Sequence, residues 1–276
     1  MRSATIKIQQ TLAAHIANRA RVTAHAPLLV GICGAQGSGK TTLSDEIRLL
    51  LEKDGLKVVV LSIDDLYLTR EARAELGKSV HPLLRTRGVP GTHDVELGLA
   101  VLGALGGVGR VPIPAFDKSR DDRVPATQWR HVDAPVDVVI LEGWCVGASP
   151  ENASALLTPI NDWEREFDPD GRWRRFVNDA LAGRYQVLFS RIDLLILLKA
   201  PTFDVVFGWR LEQEKKLHET LARQGQRSEH IMSDTDLLHF ISHYERLTRH
   251  IMVEMPSRAD ILVALDGERR PIIVRP

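Results

Sequence analysis

The chain has 276 residues, 44% of them hydrophobic and 26% charged, enough for one sizeable core and too apolar for a low-complexity protein. Its 36 basic residues balance 36 acidic ones, so no overall field favours a nucleic-acid or membrane partner, and a small-molecule partner is expected. Cys33 and Cys145 both lie beside apolar runs, which suits reduced, buried thiols in a cytosolic protein, and no stretch is long and apolar enough to span a bilayer.

Residues 1–27 carry Arg2, Lys7, Arg19 and Arg21, no acidic residue, and Ile8, Leu12 and Ile16 at helical spacing. They read as an N-terminal helical extension laying an apolar stripe on a domain over 28–276. The same composition is that of a mitochondrial transit peptide, so the expected cytoplasmic location has an organellar alternative.

The apolar run Leu28–Cys33 predicts a buried strand, and Gly34, Ala35, Gln36, Gly37, Ser38, Gly39, Lys40 and Thr41 follow it as a glycine-rich phosphate loop. Backbone N–H groups can wrap a polyphosphate only where no Cβ intrudes, a role open to Gly34, Gly37 and Gly39. Lys40 supplies a charge to the β and γ phosphates and Thr41 a hydroxyl for Mg²⁺. Thr42 begins a run with Leu43, Ile47 and Leu50 or Leu51 on one face, so the loop enters a helix N-terminus whose dipole favours anions. Residues 34–42 are therefore the expected ATP-binding set.

Strands are expected at 28–33, 57–63, 137–142, 192–199 and 260–265, and helices near 41–53, 94–105, 170–188, 203–224 and 234–254. This alternation predicts an α/β fold, a three-layer sandwich with a mostly parallel central sheet. The connections 64–93 and 106–136 are too long for plain turns and read as substrate-binding loops at the C-terminal edge of the sheet. The glycine-rich run 103–109 lacks a preceding strand and a following Lys, and reads as a helix end and turn.

Val58–Leu61 leads into Ser62, Ile63, Asp64, Asp65, Leu66 and Tyr67, so a buried strand ends in two acids within reach of a γ-phosphate. Phosphoryl transfer to an alcohol needs a carboxylate there to orient the hydroxyl and take its proton, the role assigned to Asp64. Asp65 is a neighbour that either holds metal-bound water or caps the following helix; the competing account has both acids capping a segment that starts at Thr69. The run Val138–Leu141 likewise closes on an acid, Glu142, whose long side chain suits a contact to Mg²⁺ through water. Thr41, Asp64 and Glu142 form the expected metal set.

The blocks GAQGSGKTTL, LSIDDLYLT, TRGVPGTHD, PAFDKSRDDR, VVILEGWCVG, WRLEQE and MSDTDLLHFISHY together resemble, in order and spacing, the D-glycerate 3-kinase family over about residues 28–270. SIDDLY and EGW are also similar to uridine kinase, phosphoribulokinase and pantothenate kinase. The resemblance implies a P-loop fold and Mg²⁺- and ATP-dependent phosphorylation of the 3-hydroxyl of D-glycerate to 3-phosphoglycerate. It also implies an arginine acting from a lid, a position matched here by Arg210, although an ordinary exposed helix accounts for the same run.

The acceptor side is legible in its own chemistry. A small hydroxy acid is gripped by planar cationic donors, with acids accepting from its hydroxyls. Arg87, His93, Lys118 and Arg123 supply the former, and Asp65, Tyr67 and Asp94 complete the expected substrate set. Solvated loop charge is the plainer account, and His93 and Asp94 also fit a helix start. Other acceptors, a nucleoside, a pantothenate-like molecule or a sugar phosphate, stay open, as does a regulatory NTPase; the missing guanine-recognition and transporter signatures count against the latter. Oligomeric state is left open.

Overall fold

The computed structural model describes residues 2–212 and 234–275. In chain order its main elements are α1 (Arg2–Val22), β1 (Leu28–Gly34), α2 (Lys40–Lys53), β2 (Val58–Ser62), α3 (Arg70–Ser79), α4 (Val95–Leu105), β3 (Gly109–Ile113), β4 (Phe116–Asp117), β5 (Asp122–Arg123), β6 (Arg130–Ala134), β7 (Val138–Gly143), α5 (Asp162–Phe167), α6 (Arg172–Ala180), α7 (Gln186–Phe189), β8 (Leu194–Lys199), a helix α8 over 203–212, α9 (Asp234–Glu254), β9 (Ile261–Leu265) and β10 (Pro271–Arg275).

β1 is buried along all seven residues because parallel strands flank it on both sides and helices cover both faces, which is why its sequence is a continuous apolar run rather than an alternating one. The strand order is β10-β9-β8-β1-β7-β2, parallel except for β10, which pairs antiparallel to β9. Alternate side chains feed two cores. Leu29, Cys33, Val139, Leu141, Leu195 and Leu197 pack under α4, α6, α7 and α9. Leu28, Val30, Ile32, Val138, Ile140 and Ile196 face α1, α2 and α8, where Leu12, Ile16 and Ala17 of α1 meet Ile47 of α2 in the same cluster. This is the expected three-layer α/β sandwich. Among the described residues no helix is long and apolar enough to cross a membrane.

The connections hold more structure than the sequence pattern suggests. Residues 64–93 contain α3, a helix too charged to show an apolar period; Thr69 caps it by accepting from the Ala72 N–H at 3.2 Å, so neither Asp64 nor Asp65 serves as its cap. Residues 106–136 fold into two small antiparallel pairs, β3 with β6 and β4 with β5. The helix expected over 170–188 is interrupted by a π-turn at Leu181–Tyr185, where Gly183 adopts non-helical φ −89°, ψ −116°. α8 begins where the 203–224 helix was expected, and the rest of that span lies outside the described residues. β10 is an addition, short and led by a proline, which suits an edge strand.

Ile16 is fully buried, so truncating it opens a cavity. Ile16→Ala is expected to lower unfolding stability by about 3 kcal/mol in urea titrations, with nucleotide affinity unchanged.

Candidate active site

The parallel strands bring Gly34, Ser62, Gly143 and Lys199 to one edge of the sheet. The phosphate loop turns there with Gly37 at φ 76° and Gly39 at φ 87°. Gly39 is the N-cap of α2 and leaves the first helical N–H groups without a side-chain cap, the arrangement an anion completes. The three glycines have different reasons. At Gly39 a Cβ would meet nothing, so backbone conformation sets the requirement; at Gly37 it would lie 2.8 Å from Trp209 Cβ, and at Gly34 2.7 Å from Ser38 Oγ. Close approach of protein neighbours, not of the anion alone, accounts for the latter two. Ala35 and Ser38 are buried beneath the loop, Gln36 and Lys40 are half-buried, and Thr41 and Thr42 are exposed on the first turn of α2.

Glu142 pairs in register with Ile32 on one side and Ser62 on the other. It is 2% exposed, and Oε1 accepts from the Thr41 hydroxyl at 3.0 Å while Oε2 is buried and, among the described residues, has no partner. A buried carboxylate with an unspent oxygen is costly unless a cation or a strong donor completes it. Thr41 and Glu142 thus fit a divalent cation held beside the phosphate loop. Asp64 is bonded to neither of them; Tyr67 and Lys118 each donate to one of its two oxygens.

Asp64 follows β2 in a 3₁₀ turn over Ile63–Leu66. Oδ1 accepts from the Tyr67 hydroxyl at 2.9 Å and Oδ2 from Lys118 Nζ at 2.6 Å. Burial works against its ionisation, but the charge and hydrogen bond of Lys118, helped by Lys40 and His93, outweigh it and hold Asp64 below the usual carboxylate range. Burial has the opposite outcome at Asp65, raised to about 6, whose carboxylate accepts the Phe116 N–H at 3.4 Å. Tyr67 also stacks on His93, with ring centroids 4.5 Å apart.

The other residues expected on the acceptor side gather round this pair. Arg87 is ion-paired with Asp121 and lies 5.4 Å over the Phe116 ring. Arg123 donates to the Tyr67 carbonyl through Nε at 3.2 Å and Nη2 at 2.9 Å, and reaches Asp94 at 3.1 Å. Asp94 in turn caps α4 by accepting from the Leu97 N–H at 3.0 Å, the helix-start role. Arg123 and Asp94 therefore brace the wall. Lys118, 61% exposed, is open to an incoming anion. Arg210 lies 5.3 Å over the Phe240 ring, and its charge acts, as does that of Arg87, on Tyr244, whose hydroxyl donates to the Arg87 carbonyl at 3.2 Å.

Two arginines escaped the sequence reading. Arg73 on α3 is fully buried and joins Leu68, Arg85 and Asp121 through bonds to their carbonyls at 3.2, 2.8 and 2.6 Å, with the Asp121 carboxylate at 3.0 Å. Nothing in its local pattern marks it, because its partners lie on separate loops. Arg269, at φ 66° in the turn before β10, donates to the Gly37 carbonyl at 2.6 Å and pairs with Glu212 at 2.7 Å. It ties the phosphate loop to α8 and overlies the ring of Trp209, the residue before Arg210.

Glu142→Gln is expected to keep the fold and raise the Mg²⁺ concentration for half-maximal activity by roughly tenfold or more, read from a Mg²⁺ titration of turnover. Lys118→Met removes the largest influence opposing burial at Asp64. Its pKa rises, so the acid limb of the kcat/KM profile moves to higher pH, while an unmoved limb assigns that ionisation to another group.

A family model described as the phosphoribulokinase / uridine kinase family matches residues 29–149, which span the phosphate loop, Asp64 and Glu142. The chain is 36% identical over 229 residues to the uncharacterized kinase mug58 of Schizosaccharomyces pombe, covering 79% of this chain and 78% of that one. It is 31% identical over 265 residues to a chloroplastic D-glycerate 3-kinase of Arabidopsis thaliana, covering 90% of this chain but only 54% of the plant protein. Among solved structures, a D-glycerate 3-kinase from Cryptococcus neoformans superposes with a TM-score of 0.76 at 26% identity, covering 97% of this chain and 98% of that one. The chain is an ATP-dependent kinase and belongs to the family of the kinase mug58; over residues 29–149 it is similar to the phosphoribulokinase / uridine kinase family, and along most of its length to D-glycerate 3-kinases.

Proposed function

We propose that this kinase transfers the γ-phosphoryl group of ATP to the 3-hydroxyl of D-glycerate, giving 3-phosphoglycerate and ADP. The observation that carries the reading is Asp64, held as a carboxylate between Tyr67 and Lys118 at the sheet edge that also bears the phosphate loop. The cationic wall around it, Arg87 and Lys118 above all, suits a small carboxylic acid better than a nucleoside, which calls for aromatic stacking surface. Trp144, Trp163, Trp173 and Trp209 are all buried and offer none. The plant and fungal D-glycerate 3-kinases add weight from similarity.

In this reading the polyphosphate lies across residues 34–41, against the uncapped start of α2, with Lys40 on its β and γ groups. Thr41 and Glu142 would hold Mg²⁺, which when bound would neutralise phosphate charge. Arg87 and Lys118 grip the glycerate carboxylate, so the acceptor competes with Asp121 and Asp64 for them. Asp64 accepts a hydrogen bond from the 3-hydroxyl and then its proton, as the new O–P bond forms and the bond from γ-phosphorus to ADP breaks. A carboxylate of low basicity suits this step, because a loose transition state asks the base mainly to orient the alcohol. Arg210 neutralises charge on the transferring group.

A coupled ADP-release assay across D-glycerate, L-glycerate, pantothenate, uridine and ribulose 5-phosphate tests the reading. D-Glycerate is expected to give the highest kcat/KM; preference for another acceptor, or ADP release independent of any, overturns it. Asp64→Asn is expected to lower kcat by on the order of 10³-fold with ATP affinity near intact, and full turnover in that variant removes Asp64 from the role. Arg87→Ala is expected to raise the acceptor KM by roughly tenfold or more.

A further inference from the structure

The π-turn at Leu181–Tyr185 ends on a tyrosine whose hydroxyl lies in the interior, with the residue 2% exposed. Such turns rotate the following side chain out of helical register, and here the rotated group reaches a loop 92 residues away in sequence. The Tyr185 oxygen accepts the Gly91 N–H at 3.0 Å. The same oxygen lies 2.6 Å from His93 Nδ1. A phenolic oxygen offers two lone pairs and one proton. The Gly91 N–H takes one lone pair, and among the described residues the hydroxyl proton has no acceptor other than Nδ1, so Nδ1 accepts and the ring carries its own proton on Nε2.

Nε2 is buried, and among the described residues it has no partner. His93 is 5% exposed, and its ring is stacked on Tyr67, the residue whose hydroxyl bonds Asp64. Burial drops the imidazole to about 4, so it stays neutral at physiological pH even with the Asp64 charge nearby. The ring is therefore an uncharged, oriented donor with nothing to donate to, beside the carboxylate assigned as base. A buried donor left in that state is unfavourable until something fills it.

We infer that Tyr185 is a positioning residue that fixes His93 as the Nε2–H tautomer, and that this N–H is reserved for an oxygen lone pair of the phosphoryl acceptor. The second half rests on the reading of this edge as the acceptor site. It restricts the acceptor class: the group placed against His93 is a hydroxyl or carboxylate oxygen, and a protonated amine there would set donor against donor.

The test uses the full chain with ¹⁵N-labelled histidine, the His93 signals being assigned by their loss in His93→Gln. Wild-type protein is expected to show protonated Nε2 and unprotonated Nδ1 at pH 7, and D-glycerate added with a non-hydrolysable ATP analogue is expected to shift the Nε2 resonance. Tyr185→Phe is expected to admit the Nδ1–H tautomer and to raise the acceptor KM by about tenfold, with kcat and the ATP KM within about twofold. His93→Gln retains an N–H near the Nε2 position and has no tautomer to fix, so adding Tyr185→Phe to it is expected to change the acceptor KM little. An Nδ1–H ring in the wild type, or a tautomer indifferent to Tyr185→Phe, overturns the positioning role; the wild-type measurement decides even if that variant fails to fold. A correct tautomer whose Nε2 signal is unmoved by every acceptor that supports ADP release overturns the acceptor contact. Should a different acceptor from the panel both turn over and move Nε2, the inference stands and the glycerate reading falls.

Discussion

The alignment of β7 with its two neighbours sets the geometry on which the rest of the site depends. Because Glu142 is level with Ile32 of β1 and Ser62 of β2, the acid at the end of β7, the loop after β1 and the turn after β2 emerge side by side. A slip of one residue in either pairing would send Glu142 to the opposite face of the sheet. The continuous apolar runs guard against that slip only partly, since a strand buried on both faces tolerates an apolar residue at every position. The hydrogen bond from Thr41 to Glu142 adds discrimination, because in this register the buried carboxylate finds a donor.

The site divides its electrostatic work between two carboxylates in different surroundings. Glu142 is enclosed and touched by a neutral hydroxyl, and its second oxygen has no partner among the described residues. Asp64 is surrounded by Lys118, Lys40 and a tyrosine hydroxyl, and stays ionised although it too is largely enclosed. Asp65 shows what happens without such company: one position further along, burial lifts it to about 6. The difference between adjacent residues comes from the side to which each points, which the 3₁₀ turn controls.

Much of this was legible in the sequence, and the limits of legibility are physical. The phosphate loop, the acids closing β2 and β7, and the parallel sheet are local patterns, each marked by a run of side chains with a single period or by a loop of fixed chemistry. Helix α3 was not visible, because its sequence, Arg70–Ser79, is charged nearly throughout and its stability comes from Thr69 and from contacts to the following turn. Arg123 and Asp94 were read as contacts for a small acid, Asp94 also as a helix start; each is a good cation or anion on paper, and only the fold reveals that they are spent largely on each other and, for Arg123, on a carbonyl. Tyr185 and Arg269 left no trace, since their partners lie 94 and 232 residues away. Long-range pairing of this kind has no signature in a single chain.

The bond from Arg269 to the Gly37 carbonyl bears on how the molecule is made. Ligand binding stabilises only those conformations that bind it, and the nucleotide cradle includes a brace from the turn between the last two strands. During synthesis the ribosome releases the cradle early and its brace late. The Gly37 carbonyl therefore waits for its guanidinium partner until nearly all of the sheet has been synthesised.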